Sequence, residues 1–299
     1  PQLWRVAGRG QLVLTTLLSE PLGAGPALTA CAEIPDLHHF SGRGGKDVVP
    51  LYRDAEGKVP NIGECVLETI RKATGLRVTA EDLAAYVYAV LAHPCYASTF
   101  ARDLGRVEVR VPITKDAGVF KQARAIGRRL LWLHTYGERF VPEGQTPGAV
   151  PAGAARCTRA VPEDPERYPD SFEYEETTKT LRVGDGEFAP VEKAVWEFQV
   201  SGLEAVKSWL RYRMRSGYGR KSSPLDDIRP ERWTGQFTIE LLELLWVLEA
   251  TLAEYPRQAE LLEAVRAGPL FDADEFPPVS PELRRPPGPP GQPELAYGE

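Results

Sequence analysis

Proline and glycine decide where this chain can hold regular structure, because proline breaks a helix interior and glycine weakens one. There are 27 of each in 299 residues, and they fall in blocks. The first fifty residues are cut into pieces short enough for strands, read here at Gln11–Leu18, Leu28–Ile34 and Val48–Tyr52. Pro21–Pro26, the Gly-rich loop Ser41–Lys46 and the polar turn Arg53–Pro60 separate or follow them.

Longer windows free of breakers carry helical periodicity. Asn61–Thr74 sets Ile62, Val66 and Ile70 on one face and stops at Gly75. Thr79 is an N-cap with Asp82 in capping-box position, ahead of the apolar stripe Leu83, Val87, Val90 and Leu91. Pro94 separates that helix from a second at Tyr96–Leu104. A strand is expected at Val107–Val111 and a strong helix at Val119–Tyr136, with Ile126, Leu130, Leu133 and His134 in register.

Pro142–Pro169 is expected to be a long surface loop. A β-hairpin follows, with strands Phe172–Thr177 and Thr180–Val183 and Lys179 near the turn. Ala194–Tyr212 ends as a helix, and Phe237–Ala253, apolar on several sides, reads as a largely buried one. The fold class is therefore α+β: short N-terminal strands, central helices, a β-hairpin and a C-terminal helical segment. The folded unit is expected over residues 1–266. Residues 267–299, with the run RRPPGPPGQP, read as a disordered or polyproline-like tail.

Charge narrows the function classes. The net charge of -6 argues against a general nucleic-acid binder, although binding depends on where charge sits. The longest apolar stretch, around Leu241–Leu252, is interrupted by Glu243 and Glu249, so no bilayer span is expected. No secretory leader is read, and the start at Pro1, without a methionine, reads as a cut from something longer or a processed chain. The scattered Cys31, Cys65, Cys95 and Cys157 form no C-x-x-C pair, which fits free thiols in a cytoplasmic protein.

The chemical motifs fail one by one. The segment SGRGGK resembles the end of a P-loop, but Phe40 stands where the first glycine belongs and Asp47 replaces the magnesium-binding hydroxyl. Asp36, His38 and His39 cluster near Cys31, yet adjacent histidines on an extended strand face opposite ways, so no metal is expected. His93 and Cys95 flank Pro94, where a turn is a simpler account than a nucleophile and its base. Neither a glycine-rich cofactor loop nor an Asn/Asp-Pro-Pro-aromatic motif occurs, nor an Asp followed by Glu-x-Lys in a strand. No catalytic residue and no cofactor are assigned to this chain.

What remains is a basic stretch. Lys207, Arg211, Arg213, Arg215, Arg220 and Lys221 stand with Tyr212 and Tyr218 among them and no acid before Asp226. Helical spacing would put Lys207, Arg211 and Arg215 on one face, with Arg220 and Lys221 in a Gly-rich loop. Guanidinium groups suit phosphates and guanine edges, and glycines let a backbone come close to DNA. The competing account is an ordinary solvated helix face.

Four ordered segments resemble the C-terminal specificity domain of type ISP restriction-modification enzymes and adenine-specific DNA methyltransferases. The first runs from Ile34-Pro35-Asp36 to Phe40, then Val49-Pro50-Leu51-Tyr52 and Pro60-Asn61-Ile62. The second holds Glu81-Asp82, Tyr86 through Leu91, His93-Pro94, Tyr96 and Phe100-Ala101. The third is Phe120 through Leu131 with Leu133-His134. The fourth is Val195-Trp196-Glu197-Phe198, Gly202, Lys207-Ser208-Trp209-Leu210 and Arg213, ahead of Pro224 to Asp227. Ser201 stands where the family commonly has a glycine, and the loop Gly217–Lys221 is longer than usual.

The resemblance implies a target-recognition domain for double-stranded DNA. A methyltransferase domain or subunit using S-adenosylmethionine would modify adenine N6 elsewhere, in a phage-defence system. On this reading Lys207, Arg211 and Arg215 hold phosphates, while Arg213, Arg220 or Lys221 read guanine beside Tyr218. Gln199 or Gln236 would read adenine, unless Asn61, the sole asparagine, reaches the groove. The alternative is a protein-interaction module that docks a methyltransferase or another defence component without reading bases.

Overall fold

The computed structural model describes residues 2–17, 25–35, 47–104, 109–215 and 231–285. Three short strands come first: β1 (Val13–Thr16), β2 (Thr29–Cys31) and β3 (Asp47–Pro50). β1 lies in the middle, antiparallel to both, with Thr15 opposite Thr29 on one side and Val48 on the other. The helices α1 (Glu64–Thr74), α2 (Ala80–Leu91), α3 (Pro94–Thr99), α4 (Ala101–Leu104) and α5 (Ala117–His134) follow. The capping box of Thr79 and Asp82 forms as the spacing requires. The expected strand Val107–Val111 is absent over 109–111, and residues 105–108 lie outside the described set.

α2 is buried on nearly every side and packs against α5. Gly127 makes that contact possible, since a Cβ there would sit 1.8 Å from the Ala85 carbonyl oxygen. Tyr86 stacks on Phe120 at 4.9 Å and donates its hydroxyl to the Pro112 carbonyl. These residues form one core, closed by Leu261, Leu262 and Val265 of the last long helix.

The second half departs from the sequence reading in a consistent way. The loop expected at 142–169 contains β4 (Arg156–Arg159) and a short 3-10 turn at Pro165–Arg167. The hairpin β5 (Phe172–Glu175) and β6 (Thr180–Val183) is extended by β7 (Gly186–Ala189), giving an antiparallel sheet in the order β4-β7-β6-β5. β7 pairs with its immediate predecessor β6, Val183 opposite Gly186, whereas β4 is mostly exposed and joins β7 from a segment that precedes the hairpin, so neither carries a strand signal of its own. Then α6 (Lys193–Trp196), the small hairpin β8 (Gln199–Val200) and β9 (Leu203–Glu204), and α7 (Ala205–Arg211) complete this lobe.

One helix joins the two lobes. α8 (Gly235–Ala267) has 33 residues, about 50 Å of axis at the usual rise per residue. Its first half packs Leu241, Leu244, Leu245 and Leu248 into a core with Leu181, Phe188, Val195 and Leu210. Its last turns enter the N-terminal core. The expected stop near Ala253 fails because the helix runs through Pro256. Residues 268–285 likewise do not match the tail expected from 267: Leu270 bridges to Thr114, and Phe271 and Phe276 pack on the N-terminal core. The short α9 (Pro281–Arg284) follows, where Arg53 donates to the carbonyls of Leu283 and Arg285. The Pro-rich run falls outside the described residues.

Candidate nucleic-acid interface

The basic stretch begins on α7 and leaves it after Arg211. Lys207 and Arg211 share a face as expected, because both reach back to Glu204: Nζ to Oε1 at 2.5 Å and Nη2 to Oε2 at 3.1 Å. The Lys207 hydrogen bond, with Arg211 beside it, holds the Glu204 carboxyl below the ordinary carboxylate range. Lys207 also lies over the Trp196 ring at 5.1 Å.

Arg213 and Arg215 go elsewhere. The Arg213 guanidinium stacks on Trp209 at 3.8 Å, lies 5.2 Å from the Phe237 ring centre and pairs with Glu240 at 3.3 Å. Its Nε is buried and has no hydrogen-bond partner among the described residues. Helical spacing would place Arg215 on the face of Lys207 and Arg211, but α7 ends before it. Instead its Nη2 donates to the carbonyls of Pro165 and Glu166 at 2.8 Å each, its Nε faces Asp170, and its backbone N–H donates to Pro169. It ties the strand of residues leaving α7 to the loop between β4 and β5.

Tyr218, Arg220 and Lys221 lie outside the described residues. Both flanks of that stretch are fixed on one aromatic cluster. Trp209 precedes it and Trp233, wholly buried, follows it, with ring centres 6.2 Å apart. Trp233 also meets Phe237 at 5.3 Å and donates Nε1–H to Thr238 Oγ1. Beside the cluster Tyr212 is 56 % exposed, a large ring left in solvent next to arginines. Sequence reasoning names it only as part of the basic stretch; the alternation of aromatic and basic residues is its signal.

The two glutamines are both at the surface. Gln236 stands on the first turn of α8, 3.4 Å from the Glu240 carboxylate. Gln199 exposes its side chain from β8, while its carbonyl approaches Gly25, where a Cβ would sit 2.1 Å away. Asn61 points inward: it donates to the Pro50 carbonyl and accepts from Arg53. Trp196, Trp209 and Trp246 pack against the C-terminal core, and Trp246 donates its indole N–H to Ala155.

His93 caps α3, its Nδ1 accepting the backbone N–H of Cys95 at 3.1 Å, so the pair meets through backbone and not thiol. Burial pushes that imidazole down to about 4. Among the described residues no three acidic, His or Cys side chains gather as a metal site, and no helix is long and apolar enough to cross a membrane. Asp36, His38 and His39 lie outside them. A cavity of about 390 Å³, lined by Tyr96, Phe100, Asp103 and Arg110, opens in the N-terminal lobe.

A model of the Type ISP C-terminal specificity domain matches residues 1–244, most of the chain. The chain belongs to that family. The specificity domain has the same fold as parts of three much larger proteins. One is DrdV, solved by cryo-electron microscopy with DNA: TM-score 0.57, 19% identity, over 89% of this chain and 25% of that one. Another is a nuclease-deletion mutant of the Type ISP restriction-modification enzyme LlaGI with a DNA substrate mimic: TM-score 0.53, 20% identity, over 88% and 18%. The third is the ATP-dependent Type ISP restriction-modification enzyme LlaBIII bound to DNA: TM-score 0.55, 18% identity, over 90% and 16%. The specificity domain thus spans a quarter or less of the length of these proteins. A comparison with curated proteins gives no match.

Proposed function

We propose that this specificity domain recognises a particular sequence in double-stranded DNA. It would direct adenine-N6 methylation performed, with S-adenosylmethionine, by a methyltransferase domain or subunit of a phage-defence enzyme in the cytoplasm. The observation that carries the reading is membership of a specificity-domain family together with a fold found in DNA-bound enzymes.

The geometry supports a division of labour along the basic stretch. Lys207, Arg211 and Arg215 are partly exposed cations beside acids or carbonyls, and on this reading they meet phosphates while holding their own loops. Arg213 is held inside the aromatic cluster, which favours Arg220 and Lys221 as the readers of guanine, with Tyr218 near them in sequence. Gln199 and Gln236 offer exposed amides, the group that pairs bidentately with adenine. No acid, base or nucleophile in this chain is given a chemical step.

A gel-shift titration against a pool of random duplexes tests the proposal, using R213A, R220A and K221A. Salt-dependent binding that discriminates among duplexes is expected, with R220A and K221A each relaxing the discrimination by roughly 1–3 kcal/mol for the base they no longer read. Unchanged binding in all three variants would overturn the assignment to the basic stretch. Stable capture of a protein partner without DNA binding would favour a docking module.

A further inference from the structure

The exposed face of α5, far from the basic stretch in sequence, carries an excess of positive charge of its own. From Ala117 to His134 the helix contains no Asp or Glu, but it carries Lys121, Arg124, Arg128 and Arg129 in a chain whose net charge is -6. Two carboxylates from neighbouring helices meet this face, and both are deeply set, with side chains 8 % exposed. Asp82 of α2 takes Arg124 at 3.4 Å and Arg128 at 3.0 Å. Glu254 of α8 takes Arg129 at 2.7 Å and Arg257 at 2.9 Å.

A single guanidinium would neutralise each carboxylate; the structure supplies two. Lys121 has no anionic partner among the described residues. Glu81, bonded to the Tyr52 hydroxyl, is a further acid near Arg128, and counting it still leaves the cations named here in excess. The buried acids act on orientation as much as on charge. Asp82 binds Arg128 through Nε and Nη2 while the Phe140 ring lies 5.3 Å from it, so Nη1 is left without a partner among the described residues. Arg129 approaches Glu254 with Nε at 2.7 Å, and its terminal nitrogens make no hydrogen bond among the described residues. Half-exposed guanidinium groups whose inner edges are fixed lose little freedom when their outer edges bind phosphate.

We infer that this face of α5, with Arg257 of α8, is a second contact surface for the phosphodiester backbone of nucleic acid, used without reading bases. Lys121, Arg124 and Arg128 are spread over about 10 Å of helix axis, comparable with the axial rise of roughly three base pairs. The identity of the polyanion rests on the DNA reading proposed above; the excess of oriented cations does not. Because the surface touches only backbone, it adds affinity and salt dependence and leaves sequence preference alone.

The test is the dependence of DNA affinity on salt for the whole chain, measured with random duplexes. The variants are K121Q and the triple K121Q/R128Q/R129Q. In the triple variant Asp82 keeps Arg124 and Glu254 keeps Arg257, so neither buried carboxylate is left alone; K121Q breaks no ion pair and serves as the variant that folds regardless. Each phosphate that is no longer neutralised lowers the slope of log affinity against log salt by about 0.9. The expected result is a drop of nearly one for K121Q and of about two to three for the triple, with the ratio between best and worst duplexes unchanged. An unchanged slope with discrimination intact would overturn the inference and leave the DNA-recognition reading standing. A lowered slope in a chain that never discriminates between duplexes would keep the inference and sink that reading. Absence of any DNA binding by the unaltered chain would overturn both.

Discussion

His134 donates its Nε2–H to the Thr251 hydroxyl at 2.8 Å, and this bond joins α5 to the middle of α8. The direction follows from the neighbours. Thr251 spends its own proton on the Val247 carbonyl at 2.7 Å, so its oxygen accepts from the imidazole. Nδ1 must then accept from Tyr88, whose hydroxyl lies 2.5 Å away. The chain from Tyr88 through His134 to Thr251 is satisfied only by a neutral ring, and burial pushes that ring down to about 4 from an ordinary value near 6.5. His93 is held neutral in the same way.

Stability should therefore fall on mild acidification. Both histidines have folded values below their unfolded ones, so the unfolded chain takes up protons first. Their contribution is complete above about pH 6.5 and is lost as pH falls toward 4. Within that window each histidine adds a slope of up to about 1.4 kcal/mol per pH unit. Urea midpoints between pH 7 and 5, before most carboxylates titrate, should drop steadily, and H134Q should remove about half of the slope. A flat midpoint across that range would contradict the neutral-imidazole chain.

Gly127→Ala should be one of the most damaging single-methyl additions in the molecule. The new carbon would overlap the Ala85 carbonyl oxygen, and backbone on both sides leaves nothing flexible to yield. α5 would have to move off α2, at a cost of at least about 1–3 kcal/mol. Thermal unfolding of G127A reads this directly, and a melting temperature equal to that of the unaltered chain would mean that the two helices do not pack this closely.

The helices of the N-terminal lobe were legible because each carries its own signals: Gly75 stops α1, and Thr79 with Asp82 starts α2. β4 and β7 were not. β4 is mostly exposed and pairs with a strand beyond the hairpin, which sequence order does not reveal, and β7 is a four-residue strand set directly after β6. Of the candidate site, the shared face of Lys207 and Arg211 could be read from spacing alone. The diversion of Arg213 into Trp209 and Phe237, and of Arg215 to the loop at 165–170, could not, because both depend on where the chain turns after α7. The acid-free run of α5 was visible as residues; its meaning depended on Asp82 and Glu254 arriving from other helices.

Pro256 marks the one place where α8 runs against its own sequence. It gives no N–H to the Leu252 carbonyl, a loss that costs about 3 kcal/mol in a helix interior. Packing on either side overrides it: Leu248 before it, and Gln258, which donates to the carbonyls of Ala89 and Ala92, after it. Since residue 256 is exposed, P256A should restore the bond without a clash and raise stability by about 1–3 kcal/mol, seen as a higher melting temperature. A lower one would mean that the two packed segments of α8 need the break that proline provides.

Arg213 and the pair Arg220 and Lys221 should separate cleanly in experiment, although they belong to one basic stretch. Arg213 is part of the packing: its guanidinium covers Trp209, and burial pulls it below the ordinary arginine value while Glu240 opposes that shift. R213A should lower the melting temperature, in line with a loss of about 1–3 kcal/mol, and R213K should recover little, because an ammonium cannot stack as a planar group does. Neither variant should change the salt slope of DNA binding, since Arg213 is not offered to a phosphate. R220A and K221A should do the reverse, leaving the melting temperature unchanged while altering which duplexes are bound. If R213A instead kept full stability and lost discrimination, the side chain would have to leave Trp209 and Glu240 on binding, and the aromatic cluster would be a resting place for a base-reading arginine.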